Sequence, residues 1–125
     1  MTFRLIVLSP NGVVFDGVTN YCYVPASNGP IGILPQHTPL IARISARGGV
    51  LHFKEKNGRV HYYAVKNGAI EVKKEKTLVL IENYKKCSSI EEAKSMLESL
   101  DGNERKIASN ENDIKIAEAF SQKDI

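Results

Sequence analysis

The chain has 125 residues, enough for one ordinary domain or a small one with an appendage, and carries 17 Lys and Arg against 14 Asp and Glu, a net charge of +3. Two cysteines, Cys22 and Cys87, are too few for a disulfide scaffold, and no run approaches the roughly eighteen apolar residues of a membrane span. The apolar run Phe3 to Leu8 is too short for a secretory signal core and is interrupted by Arg4, so the expected setting is cytoplasmic with both thiols reduced.

Residues 1–84 read as a succession of short strands. Phe3, Leu5 and Val7 alternate with Arg4, Ile6 and Leu8, and Pro10-Asn11-Gly12 then turns the chain. Val13-Val14-Phe15 forms a second run, ended by Asp16-Gly17. From Val18 to Val24, Val18, Asn20, Cys22 and Val24 alternate with Thr19, Tyr21 and Tyr23. Both faces of that segment look covered, as in a sandwich. Val50 to Lys54 and Arg59 to Val65 flank Glu55-Lys56-Asn57-Gly58, the strongest hairpin signal in the chain. Ala69 to Val72 and Thr77 to Ile81 flank the charged turn Lys73 to Lys76 and make another hairpin. Eight or so short strands punctuated by Gly, Pro and Asn imply an antiparallel sandwich or barrel.

The period changes after residue 84, which sets the expected boundary between a β domain (1–84) and a helical segment (85–125). Ser89 and Glu92 form a capping-box pattern, and Ile90, Ala93, Met96, Leu97 and Leu100 share one helical face. Asp101-Gly102 supplies a stop, and a second, weaker helix is expected over about Glu104 to Phe120. Charge follows the same division: ten basic and five acidic side chains before residue 85, seven and nine after it. Short helices cannot bury an apolar face alone, so this segment has to pack on the β body or on a partner.

Catalytic and metal-binding chemistry find little support. His37, His52 and His61 fall in no HxH, HExxH or Cys/His ligand pattern. His52 and His61 lie across the Asn57-Gly58 turn and are expected to face the same way. Asp16 is the only Asp of the β body, and no serine has a nucleophile-elbow context. Gly29-Pro30-Ile31-Gly32 is not a phosphate-binding fingerprint. Tyr21, Tyr23, Phe53, Tyr62 and Tyr63 among lysines supply raw material for a base-stacking platform, but strands use the same aromatics as core, and nucleic acid is not the expected partner. Pro35 and Pro39, by contrast, stiffen the chain around His37 before any partner arrives. That points to a fixed shape with His37 as a brace.

Three blocks then carry a resemblance. The run Gly29 to Leu40 is similar to a G-x-x-G-x-x-P-x-H-x-P-L signature. Phe15-Asp16-Gly17 precedes it, and the hairpin segment Tyr63 to Val72 follows. In this order and spacing the chain resembles the epsilon-subunit family of F-type ATP synthases, called delta in mitochondria. The resemblance implies a ten-stranded β sandwich followed by a helical hairpin. It implies a non-catalytic subunit at the foot of the central stalk, bound to the gamma subunit and the ring of membrane c subunits, peripheral on the cytoplasmic face of the plasma membrane. It also implies that the hairpin either folds on the sandwich or extends toward the alpha and beta subunits.

On this resemblance the interface residues are Asn28, Gly29, Pro30, Ile31, Leu34, Pro35, Gln36, His37, Thr38, Pro39 and Leu40. Pro30 stands where some relatives carry an acid, which implies contact by shape rather than by a charge pair. The family's ATP motif, I/L-D-x-x-R-A, is matched by Ile90, Glu91, Lys94 and Ser95 with three departures, since Glu replaces Asp, Lys replaces Arg and Ser replaces Ala. Weak or absent ATP binding is therefore expected, and no metal. The competing reading is a free-standing β-sandwich ligand or nucleotide sensor.

Overall fold

The computed structural model describes residues 1–100. Seven strands form the body: β1 (Phe3–Ser9), β2 (Gly12–Ala26), β3 (Gly29–Ile33), β4 (Leu40–Ile44), β5 (Gly49–Glu55), β6 (Val60–Val72) and β7 (Lys76–Cys87). A short helix α1 (Ile90–Met96) follows, then a 3-10 turn at Glu98–Leu100. The pairings β1–β2, β2–β5, β5–β6, β6–β7 and the parallel pair β7–β1 close on themselves, while β4 bridges β2 and β6 and β3 lies outside β2. The principal core sits inside this sandwich, built on Leu5, Val7, Val24, Ile33, Phe53, Val65, Ile70 and Val79.

The expected count of about ten strands is corrected to seven because long strands do double duty. The runs Val13–Phe15 and Val18–Val24 are one strand, β2, with Asp16-Gly17 inside it. Arg4 holds Asp16 there through two hydrogen bonds, Nε to Oδ1 at 3.1 Å and Nη2 to Oδ2 at 2.9 Å. A Cβ on Gly17 would meet the Phe15 ring at 2.8 Å, so a larger residue there would have to displace that ring. Likewise β6 runs through Asn67-Gly68, changing partner from β5 to β4 on the way. Asn67 takes φ 64°, and a Cβ on Gly68 would lie 2.0 Å from the Leu80 carbonyl oxygen. No other residue fits there.

A register shift in the β2–β5 pairing between Thr19 and Cys22 resets the alternation in β2. Thr19 and Cys22 are therefore both fully buried, although they belong to opposite faces of a regular strand. The Thr19 hydroxyl fills the irregularity, its single hydrogen shared between the carbonyls of Tyr21 and Lys54 while its oxygen accepts from Tyr21 N–H at 3.2 Å. Burial raises the Cys22 thiol well above its ordinary range, leaving it protonated and inert.

At the predicted cap, Ser89 Oγ accepts from Glu92 N–H at 3.1 Å, and Glu92 Oε1 accepts from Ser88 N–H at 2.6 Å. The backbone tightens after Met96: Leu97 N–H bonds the Lys94 carbonyl and Leu100 N–H bonds the Leu97 carbonyl, while Ser95 and Ser99 hydroxyls bond carbonyls three residues back. The apolar face is as expected, since Ile90, Ala93, Met96, Leu97 and Leu100 pack on Val50, Tyr62, Ala64 and Cys87. The stop at Asp101-Gly102 and the second helix of the expected hairpin lie outside the described residues, so one helix is observed.

Candidate functional site

Strand β3 ends in a loop whose form follows from two residues. The Leu34 carbonyl accepts from His37 N–H at 3.1 Å, Pro35 supplies the second position, and Gln36 at φ 67° the third. That is the arrangement of a type II turn, with Gln where Gly or Asn is usual. A carbonyl only accepts, so His37 Nδ1 carries the hydrogen of its 2.7 Å bond to Thr38 O. The brace is thus local, binding the ring to the next residue. Leu34 is 60% exposed and Ile41, just past the loop, is 65% exposed.

Of the remaining interface candidates, Asn28, Pro30, Gln36, Thr38 and Pro39 are exposed, and Gly29, Ile31, Pro35 and Leu40 are half-buried. Ile31 and Leu40 pack against the core from its rim. Strand β3 pairs with β2 alone, with Pro25 opposite Pro30 and Tyr23 opposite Gly32. Neither proline has an N–H, so theirs is a non-hydrogen-bonded pair, and Pro30 and Gly32 turn their backbone groups outward. The free edge of β3 consequently offers a single donor at these two residues, the Gly32 N–H. Pro30 blunts an edge strand that would otherwise invite pairing.

A groove of about 760 Å³ separates this corner from α1. Gly29 and Pro30 line it from one side and Ile90, Lys94 and Leu97 from the other, with Tyr23, Val50 and His52 between. It therefore brings together part of the interface signature and part of the ATP-like motif. Glu91 and Ser95 do not line it; both are exposed, and Ser95 is engaged with the Glu92 carbonyl at 2.8 Å. Lys94 is the one Lys or Arg among the described residues lining the groove. Among the described residues a nucleoside triphosphate therefore meets no bidentate cation there.

His52 and His61 face opposite sides of the sheet, correcting the expectation that they face the same way. The register pairs His52 with Tyr62 and Phe53 with His61, one residue out of step. His52 stacks on Tyr23 at 4.8 Å and meets the Tyr21 hydroxyl at 3.3 Å, and burial lowers its pKa. His61 lies inward, stacked on Phe53 at 4.9 Å, with Nε2 2.7 Å from Glu55 Oε1. Phe53 and Tyr63 are core residues, which removes two rings from the imagined stacking platform. Among the described residues no group of three or more His, Cys, Asp or Glu is placed to hold a metal.

One surface escaped the sequence reading. The pairing of Leu40 with Val72 sets the turn Lys73–Lys76 beside the end of the loop. A concavity of about 540 Å³ opens there, lined by Pro39, Leu40, Ile41 and by Glu71, Lys73 and Lys74. The only sequence signal was the charged turn itself.

The family described as "ATP synthase, Delta/Epsilon chain, beta-sandwich domain" matches residues 2–86, which is more than half of the chain. The chain belongs to this family. An ATP synthase epsilon chain of Nitrosococcus oceani is 29% identical over 128 residues, covering 98% of this chain and 90% of that one. The ATP synthase epsilon chain of Desulfitobacterium hafniense reaches 40% identity over 79 residues, 63% of this chain and 58% of the relative. Among solved structures, a chain of the Euglena gracilis mitochondrial ATP synthase superposes with a TM-score of 0.62 at 15% identity, covering 93% of this chain and 74% of that chain. One from the central stalk and c-ring of the Tetrahymena thermophila mitochondrial ATP synthase gives 0.53 at 12% identity, covering 66% and 64%. At such identities the structural likeness speaks for the fold alone. The delta/epsilon family thus accounts for the sandwich, and the matched residues include Gly17, the Pro35 turn and Gly68.

Proposed function

We propose that this protein is the epsilon-type rotor subunit of an F-type ATP synthase, a non-catalytic piece of the central stalk. It binds the gamma subunit and rests on the polar loops of the c-ring, so that ion-driven rotation is passed on without chemistry of its own. The carrying observation is the delta/epsilon sandwich match over residues 2–86. The stiff loop Leu34–Pro39, exposed at one end of that sandwich, supports the ring-facing role of Asn28, Gly29, Pro30, Ile31 and Leu34 to Leu40. Membrane association then comes through the complex, at the cytoplasmic face. Among the described residues no helix is long and apolar enough to cross a membrane. The expected boundary at residue 84 moves to the end of β7, because Lys85, Lys86 and Cys87 are paired with β6, and the chain beyond that strand acts as an arm that reaches toward alpha and beta subunits when released.

Co-purification tests the reading. Recombinant gamma should bind the full chain in a one-to-one ratio, and ATPase activity of the assembled complex should then be compared with and without it. A chain that ignores gamma is a free-standing ligand sensor instead. ATP binding is weak or absent, because Glu91, Lys94 and Ser95 depart from the motif and Lys94 is the one cation that the described residues offer to the phosphates; micromolar affinity in a titration of the isolated protein would refute that.

A further inference from the structure

Four apolar side chains are buried although they point away from the core. Leu5, Val7, Ile70, Val79 and Ile81 fill the sandwich, so strand alternation turns Ile6, Ala69, Leu78 and Leu80 outward. An outer sheet face is ordinarily wet. Yet Ile6 and Leu78 have no exposed surface, and Ala69 and Leu80 have almost none. Glu71, paired with Leu78 on that face, likewise keeps Oε1 out of water. Among the described apolar residues only Leu8 packs with Ile6, Leu78 and Leu80, and α1 lies on another wall, over Val50, Ala64 and Cys87.

Whatever covers these residues is narrow. At the two margins of the same face, Val13 of β2 is 63% exposed and Ile41 of β4 65%. Between them β1, β7 and β6 span about 10 Å, at roughly 4.8 Å per strand. That is the width of one α-helix. The chain beyond Leu100 holds a segment of this kind. From Asp113 to Gln122, helical spacing puts Ile116, Ala117 and Phe120 on one face and Lys115, Glu118 and Gln122 on the opposite one. Asn112 and Asp113 ahead of it are good N-caps. The residues from Asp101 to Asn112, at about 3.4 Å each, can reach roughly 40 Å. Passing from α1 across the sandwich to its far face takes about 30 Å, three layers at roughly 10 Å.

We propose that residues 113–122 dock as a single amphipathic helix on the outer face of β1, β7 and β6, with Ile116, Ala117 and Phe120 against Ile6, Leu78 and Leu80. The end of the chain is then a self-docked cover. While it stays, an apolar strip on the sandwich is closed to other proteins, and when it lifts the strip opens. The segment and α1 clasp the sandwich on two walls instead of packing on each other, so each is released without the other. This concerns the free chain and stands whether or not the stalk reading does.

The test uses the full chain with Cys87→Ala, in which Cys22 stays sealed in the core. Leu78→Cys combined with Phe120→Cys should cross-link within one chain on mild oxidation. Tyr23→Cys, in the groove beside α1, combined with Phe120→Cys should not. Leu78 lies outside the principal core, so the β body keeps its fold. A cross-link to position 23 alone would seat the segment beside α1 and overturn the proposal, as would no cross-link in either pair. A cross-link of doubled mass would make a second copy the cover, and that also overturns it. Independently, Ile116→Glu/Phe120→Glu should raise the fluorescence of anilinonaphthalene sulfonate about fivefold, as the strip opens to the dye. Adding Leu80→Gln should remove most of that rise. Dye binding unchanged by the double substitution would mean that these residues cover nothing.

Discussion

Between Leu34 and Pro39 the backbone fixes the shape: two prolines set φ, one turn hydrogen bond closes Leu34 to His37, and Gln36 is held at φ 67°. Helix α1 is held the other way. Its seven residues are too few to be stable alone, and it keeps its place because Ile90, Ala93, Met96 and Leu97 bury themselves on Val50, Tyr62, Ala64 and Cys87. On the proposed function, the loop that presents one shape to a partner is built from local constraints, which survive when contacts change, and the segment proposed to leave its site is built from packing, which is lost all at once.

The most severe way to break this contrast is to attack the frame both regions share. Gly68→Ala pushes a methyl into the Leu80 carbonyl at a φ of 147°, and neither β6 nor β7 can yield. It should cost more than about 4 kcal/mol, read as a fall of well over ten degrees in thermal midpoint or as failure to fold.

Ala93→Asp separates the regions. A carboxylate in the fully buried Ala93 site should cost α1 about 3 kcal/mol of docking while the β body stays folded. Alkylation of Cys87, which lies under the helix, should then rise at least tenfold, with Cys22 in the principal core unchanged as internal control. Equal protection of Cys87 in the variant would mean that the helix is not held by this packing.

Gln36→Ile tests the loop alone. A β-branched side chain at positive φ should cost about 1–2 kcal/mol in urea unfolding, whereas Gln36→Gly should stay within about 0.5 kcal/mol of wild type. Equal stability of all three would mean that Gln36 does not hold the turn.

The smallest effect concerns His52. Burial depresses its pKa in the fold below the ordinary 6.5, so the unfolded chain takes up the proton more readily. Stability from this group is full above the ordinary value and declines as pH falls through it toward the folded value. Comparing thermal midpoints at pH 7.5 and 5.5, His52→Phe should lose less on acidification than wild type. An identical loss would assign the acid limb to other groups.

What the sequence disclosed follows the range of the interactions. The hairpins at Asn57-Gly58 and Lys73–Lys76, the Ser89 cap and the apolar face of α1 were legible because each depends on residues within a turn or two. The fusion of runs into β2 and β6 was not, because Asp16-Gly17 and Asn67-Gly68 look like turns until Arg4 and Leu80, distant in sequence, are set beside them. The opposed histidines were missed for a related reason: a one-residue offset in register sends His61 inward to Glu55. At the candidate interface the prolines announced stiffness, but Glu71, Lys73 and Lys74 joined it only through the β4–β6 pairing.

The parallel pairing of β1 with β7 also has a consequence for synthesis. Leu5 must wait for Thr77 before its second neighbour exists. During translation the amino-terminal hairpin can form early, but the barrel-like ring stays open, with one side of β1 unpaired, until almost the whole β body has emerged from the ribosome. Contacts so distant in sequence make folding slow and leave an adhesive edge exposed in the interval. For this subunit, protection by chaperones or by early assembly belongs to that window, before the last strand arrives to close the ring.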